Sequence, residues 1–414
     1  MKLSLKQIRK TVLTLVLALL AGGLGWGLGT REVKLTALSG RPFNVQIINK
    51  KAPAAKEVDF SLFWEVWDKL EEKYLEKEKI DQKVMFYGAV KGLAASLGDP
   101  YTVFLPPEEN KQAKEDLNGT FEGVGIRLGF NQDKRLTVIA PLKGMPAEAA
   151  GVKAGDLILR LKDGQKGIDQ ETTGMSLPEA VEKIRGPQGT KISLTLLHEG
   201  SSEPFEAEIT RQAIVVPSVE VDLIDEGKVA HLKLTKFGEL TAEQWDQSVE
   251  KIKNQQPAAA GMILDVRGNP GGYLKSSVNL ASEFLAKGVI VKQENYQGRV
   301  ETYSVNRRGR LLDLPLVVLI DKGSASASEI LAGALQDHNR AKLIGTHSFG
   351  KGTIQESEDL QGGAGLHITT AKWLTPNDKW INETGLTPDV EIEDDSETEE
   401  DEQLEKAIEI LNEN

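Results

Sequence analysis

The chain of 414 residues contains no cysteine. That absence excludes disulfides, thiolate nucleophiles and zinc-thiolate sites, so covalent chemistry falls to serine, threonine, lysine or a carboxylate. A basic excess is lacking too: the formal charge is -12 at pH 7, which argues against nucleic acid as a partner. Nine of the acids lie in one stretch without a base, Glu391 to Glu402, and without them the body sits near -3. The stretch reads as a solvated spacer rather than a contact surface. Neither a metal nor a cofactor is expected. What the chain does have, 40% hydrophobic and 27% charged residues, suffices for two or three domains with their own cores.

A long apolar run occurs at the amino terminus, where Lys2, Lys6, Arg9 and Lys10 precede Thr11 to Gly29. This is the charge order of an export signal. No small-x-small cleavage site follows, and the run is as long as a bilayer span requires, so residues 1–30 are expected to be an uncleaved signal anchor, with a cleaved signal peptide as the alternative. Either way the body is exported, periplasmic or extracellular, and freedom from disulfides suits a bacterial exported protein.

Alternating patterns divide the rest. A polar connector, 31–56, leads to a helical region, 57–117, where Phe60, Phe63, Trp64, Trp67, Leu70 and Tyr74 recur at helical spacing, followed by Val84, Tyr87, Val90 and Leu93. The stripe serves either an internal core or an oligomer face. Residues 118–213 change to short β-type runs broken by glycine, with one short helix opened by Ser176 and Glu179 in capping-box spacing. Residues 214–390 alternate strands and helices, the mark of an α/β domain whose ligands sit at the carboxyl ends of strands. Residues 391–414 are the acidic tail and a terminal helix. The whole is a multidomain α+β chain.

Three segments could carry chemistry. Gly323-Ser324-Ala325-Ser326-Ala327-Ser328-Glu329 follows an apolar strand and opens a helix. Free N–H groups and the helix dipole there favour a nucleophilic serine and its oxyanion, although a plain N-cap would look the same. Asp265-Val266-Arg267-Gly268-Asn269-Pro270-Gly271-Gly272 exposes backbone amides at a second strand end, as an oxyanion hole or as a simple strand-to-helix turn. In the third, Lys351 stands between Gly350 and Gly352; no hydroxyl residue directly follows it, so this is not a P-loop. Such a lysine is a base only if burial holds it neutral, and otherwise it is a solvent-facing loop residue. Five histidines, His198, His231, His338, His347 and His367, compete as base, with His347 and His338 the nearest rivals in sequence; no Gly-x-Ser-x-Gly elbow is present.

Together and in this order, the three segments resemble those of the carboxy-terminal processing peptidases, or tail-specific proteases, over about residues 60–390. The resemblance implies a Ser-Lys dyad with Ser326 as nucleophile, Lys351 as general base and Gln355 orienting the amine. It makes Ala327 and the Gly271-Gly272 pair the oxyanion hole, on a crotonase-like α/β sheet. It also implies that residues 118–213 form a PDZ domain: Phe121-Glu122-Gly123-Val124-Gly125-Ile126 matches the carboxylate-binding loop, and Ile126, Val181 and Ile184 are candidates for the apolar pocket or for core. Arg185 stands where a family arginine couples ligand binding to activation, and Asp337 coincides with an acid of some members, read here as structural. The expected partners are protein or peptide substrates with apolar carboxyl ends, the membrane through residues 1–30, and a second copy of the chain, for which the terminal helix and the aromatic stripe offer surfaces. A peptide-binding protein with a PDZ domain on an inactive platform is the alternative.

Overall fold

The structure, a computed structural model, describes residues 58–394 and 400–413 together with the backbone of strands 32–36 and 44–48. The expected signal anchor lies outside the described residues. Among the described residues, no helix is long and apolar enough to cross a membrane. The chain divides into two units, residues 1–86 and 87–414.

The first unit holds an antiparallel hairpin, β1 (Glu32–Thr36) with β2 (Asn44–Ile48), inside the stretch expected to be only a connector. It also holds α1 (Ser61–Lys73), on which Phe63, Trp64 and Trp67 form an aromatic cluster with ring centroids 5.0–6.0 Å apart. Among the described residues none of α1 is fully buried, and the three rings pack on one another.

In the second unit the end of α2 (Gln82–Ala95) brings Tyr87 against Phe104 of β3 (Val103–Leu105). Then α3 (Pro107–Asn118) stops at Gly119, whose left-handed backbone is the common helix-terminating conformation. β4 (Thr120–Gly123) follows, and after it a small β-rich domain. Its sheet runs in the order β10 (Phe205–Thr210), β9 (Lys191–Leu197), β7 (Leu157–Asp163), β6 (Leu136–Pro141), β5 (Ile126–Phe130), with β8 (Ile168–Glu171) on β7. Alternation is plain in β9, where Ile192, Leu194 and Leu196 point inward onto Val138, Leu161 and Ile209. After α4 (Pro146–Ala149), α5 (Leu177–Ile184) packs against β5; the Ser176 hydroxyl accepts the Glu179 N–H at its start, half of the anticipated capping box. Chain exit is through β11 (Gln212–Val215), paired with β4. Just before it, the fully buried Arg211 forms an ion pair with the equally buried Asp163 at 2.7 Å and donates to the Ile184 carbonyl at the end of α5.

The larger domain is a six-stranded sheet ordered β12 (Val219–Ile224), β13 (Val229–Leu234), β14 (Gly261–Asp265), β17 (Leu316–Ile320), β18 (Lys342–Gly345), β21 (Val390–Glu391), parallel except for β12. β14 and β17 are buried at every position, which explains their unbroken apolar text: a parallel sheet is covered on both faces. One face carries α6 (Thr241–Lys253), α7 (Leu274–Ala281) and α8 (Ala327–Asp337), with Trp245, Val278 and Leu331 in the main core. The other is covered by α9 (Glu402–Asn412), whose Ala407 and Ile410 pack on Ile263, Val317 and Leu319. That helix, offered above as an oligomer surface, lays its apolar face on its own sheet. A second, antiparallel sheet, β16 (Val300–Ser304), β15 (Val289–Asn295), β20 (Gly365–Leu374) and β19 (Thr353–Asp359), with β3 on β20, stands beside it. The carboxyl ends of β14, β17 and β18 therefore deliver all three chemistry-bearing segments to one edge.

Candidate active site

Ser326 ends the turn between β17 and α8 with φ 56° and ψ -112°, a conformation that costs a non-glycine residue roughly 1–3 kcal/mol. The surrounding turn is fastened to the neighbouring strand end. Ser324 Oγ donates to the Val266 carbonyl, while the Ala325 N–H and the Ser328 hydroxyl both donate to the Asn269 carbonyl, at 2.8–2.9 Å. The glycine loop is thereby held against the serine. A Cβ on Gly271 would lie 2.9 Å from Ser326 Cβ and 2.7 Å from the Ala325 oxygen, and one on Gly272 would lie 2.2 Å from the Phe237 oxygen. With φ of 100° and 141°, both positions require glycine.

The amides of this loop are not equivalent. Gly271 donates its N–H to Asn269 Oδ1 at 2.9 Å, whereas the Gly272 N–H has no acceptor among the described residues. Ala327 is the first residue of α8, where an N–H has no intrahelical partner. Of these amides, those of Gly272 and Ala327 remain without an acceptor among the described residues.

A carboxylate absent from the expected site set joins its two halves. Glu329 is fully buried, and its Oε2 accepts the backbone N–H of Ser326 at 2.8 Å and that of Lys351 at 2.9 Å. Its Oε1 accepts Ser348 Oγ and the Gly350 N–H, both at 2.6 Å. Burial raises its pKa above the usual carboxylate range, and those hydrogen bonds only partly offset it. The Ser-x-x-Glu spacing was its one sequence signal.

Lys351 is half-buried with its ammonium 4.8 Å from the centre of the Tyr101 ring. Desolvation lowers its pKa, against the opposing pull of Asp99 and Glu329. Gln355, four residues on, donates to Thr353 Oγ1 at 2.9 Å and Thr369 Oγ1 at 3.0 Å, which leaves its carbonyl oxygen as the free acceptor. Burial raises the Asp99 carboxyl, but hydrogen bonds from Thr102 Oγ1 at 2.6 Å and the Tyr101 N–H at 3.0 Å, with the nearby Thr369 hydroxyl, bring it below its ordinary value. Sequence offered no signal for Asp99 or Thr369.

A cleft of about 550 Å³ is lined by Gly271, Gly272, Ser326, Lys351 and Gln355 together. Its walls include apolar Leu117, Leu274 and Ile354 and charged Asp116 and Lys236. The histidine at this cleft is His367, its pKa lowered by burial and by Lys351. The two rivals named from sequence are elsewhere: His338 holds the Val289 carbonyl at 2.7 Å, and His347 is exposed outside the cleft lining. Asp337 accepts the Asn377 N–H at the far end of α8.

In the β-rich domain, Gly123 at the end of β4 and Val124 and Gly125 in the turn to β5 are buried, and Gly125 has φ 76°. Ile126 and Val181 are half-buried, while Ile184 belongs to the domain core. Arg185 caps the end of α5, stacked 4.4 Å over Phe121 with a guanidinium nitrogen 3.6 Å from Glu115.

Two family models match the chain: peptidase family S41 over residues 228–392 and the PDZ domain over 114–197. A carboxyl-terminal-processing protease of Synechocystis is 38% identical over 331 residues, 79% of this chain and 75% of the relative. Carboxy-terminal processing protease CtpA of Bacillus subtilis is 32% identical over 84% of this chain and 72% of its own. Among solved structures, a Bacteroides fragilis protein assigned to the S41 proteases covers 88% of this chain and 99% of its own with a TM-score of 0.56; at 17% identity it bears on the fold alone.

Proposed function

The chain belongs to the carboxyl-terminal processing proteases of peptidase family S41, and from that premise we propose that its chemistry is carried by a Ser326–Lys351 dyad assisted by Gln355. It is a serine protease carrying a PDZ domain. The observation that supports the dyad is the single carboxylate of Glu329 holding the backbones of Ser326 and Lys351 at one cleft.

Neutral Lys351 takes the proton of the Ser326 hydroxyl as Oγ attacks the scissile carbonyl carbon. The carbonyl oxygen becomes an oxyanion held by the N–H groups of Gly272 and Ala327. Collapse breaks the C–N bond, the Lys351 ammonium returns its proton to the leaving amine, and an acyl-Ser326 ester remains. Water then attacks the ester, giving its proton to Lys351, and the carboxylic product leaves as Ser326 regains a proton. Gln355, fixed by Thr353 and Thr369, presents its carbonyl oxygen to orient the amine.

The PDZ domain selects substrates by apolar carboxyl ends, received by the loop at Gly123, Val124, Gly125 and Ile126 with Val181 beside it, and Ile184 shapes that groove from the core side. Arg185 couples occupation of the groove to the protease domain. In this reading the PDZ domain spans 118–213 and the protease core 214–390, around the segments that the two family models match. Residues 1–30 anchor the enzyme in a membrane with its catalytic part outside the cytoplasm, and α1 supplies a surface for self-association.

Incubation with an unfolded protein bearing an apolar carboxyl end tests the dyad. Wild type and His367→Ala are expected to cleave it, while Ser326→Ala and Lys351→Ala are not. Cleavage that survives Lys351→Ala but not His367→Ala would replace the lysine by the histidine.

A further inference from the structure

The glycine loop is secured from a second direction. Its first residue, Arg267, lies between two carboxylates on the side of the sheet edge facing α9. Arg267 Nε and Nη2 donate to Asp265 at 3.0 and 2.8 Å, and Asp265 is itself buried and 3.1 Å from His231 Nε2. Nη1 and Nη2 also donate to the two oxygens of Asp401, both at 2.8 Å, a parallel fork. Asp401 is the N-cap of α9, accepting the Leu404 N–H at 2.8 Å, and Gln403, buried behind it, accepts from Arg267 and donates to the Ile392 carbonyl. Beyond Arg267 the loop is tied at each step: the Gly268 N–H to Asp321, the Asn269 side chain to the Leu234 carbonyl, the Asn269 carbonyl to Ala325 and Ser328.

We infer that Asp401 is a positioning residue for the reaction, acting through Arg267 to fix the loop that presents the Gly272 N–H to the oxyanion. The carboxyl-terminal helix, outside the segment matched by the protease family model, thereby becomes part of the apparatus that stabilises the transition state. A fork of two charge-assisted bonds sets orientation as well as distance, which a packed apolar face alone does not. Displacing the oxyanion donor by about 1 Å is enough to lower the rate roughly 100-fold without touching the groove that binds the substrate chain.

The inference rests on the proposed dyad and its oxyanion hole, and the experiment separates the two. Full-length wild type, Ser326→Ala, Asp401→Asn, Asp401→Ala and Ile410→Ala are compared on the same unfolded substrate for kcat, KM and melting temperature. Asp401→Asn keeps an oxygen for Leu404 but turns an N–H toward Arg267. Ile410→Ala removes packing from the same helix and leaves the fork intact. Expected is a kcat about 10- to 100-fold lower in both Asp401 variants, KM within about threefold, and kcat retained in Ile410→Ala even at an equal loss of melting temperature. If Asp401→Ala fails to fold, Asp401→Asn decides. Unchanged kcat in the Asp401 variants, a change confined to KM, or an equal kcat loss in Ile410→Ala would each overturn the role of Asp401. Cleavage by Ser326→Ala as fast as wild type would instead overturn the dyad, and this inference with it.

Discussion

Replacing Glu329 by glutamine separates stability from activity. In the least costly orientation the new amide nitrogen takes the place of Oε1; the Ser348 hydroxyl, which already accepts the Leu386 N–H, can accept from it only by losing its own acceptor, so the Gly350 N–H and the Ser348 O–H are both orphaned. Each orphaned buried donor costs about 1–3 kcal/mol. Against this stands the loss of a buried charge. Because burial raises the Glu329 pKa in the folded state, the folded protein takes up this proton more readily than the unfolded chain. Stability therefore falls as pH rises from the ordinary carboxylate range through the raised value, and above it the ionised group is a net burden that a neutral isostere relieves. The two effects oppose, so unfolding free energy is expected to change by less than about 3 kcal/mol. Activity has no such compensation. The bonds to the Ser326 and Lys351 N–H groups lose their charge assistance, roughly half their strength, and dyad misplacement of a fraction of an ångström to 1 Å costs about 10- to 100-fold in kcat. Glu329 also raises the Lys351 pKa, so the acidic limb of the rate profile should move to lower pH in Glu329→Gln. Denaturant unfolding and pH-dependent kinetics on one preparation check both. Full activity, or an activity loss matched by global unfolding, would refute the bridging role.

Asp99→Asn removes another charge that raises Lys351, so its kcat/KM profile should likewise shift its acidic limb downward, since the reactive form is neutral Lys351; stopped assays across pH measure this. Gly272→Ala forces a Cβ into the Phe237 carbonyl and should lower kcat by 100-fold or more, in the range of a lost oxyanion donor, as steady-state kinetics would show. Arg211→Ala leaves Asp163 buried and unpaired, a loss of about 3–5 kcal/mol expected to appear as early melting of the PDZ domain in hydrogen exchange, while the α/β core keeps its protection.

Much of this was legible because the physics is local. Strands alternating with helices over 214–390 announced a buried sheet, met in the fully buried β14 and β17, and short β-type runs broken by glycine announced the smaller β-rich domain. Serine at a helix start and glycines at a strand end stood out for the same reason. What stayed hidden depends on partners distant in sequence. Glu329 looked like an ordinary cap residue until folding brought Gly350 and Lys351 onto its other lone pairs. Asp99 and Thr369 meet only across separate elements, and the distinction between Gly271 and Gly272 depends on where one asparagine side chain turns. The helical spacing of 403–411 gave a face but not its occupant, which proved to be the chain's own sheet.

The central claim, that half-buried Lys351 in its neutral form activates Ser326, is tested most directly by covalent labelling with a serine-directed phosphonate, followed by peptide mass mapping across pH. The account predicts one adduct, on Ser326, formed at a rate that rises with pH through the lowered Lys351 pKa and abolished in Lys351→Ala. Labelling of another serine, or undiminished labelling of Ser326 in Lys351→Ala, would contradict it.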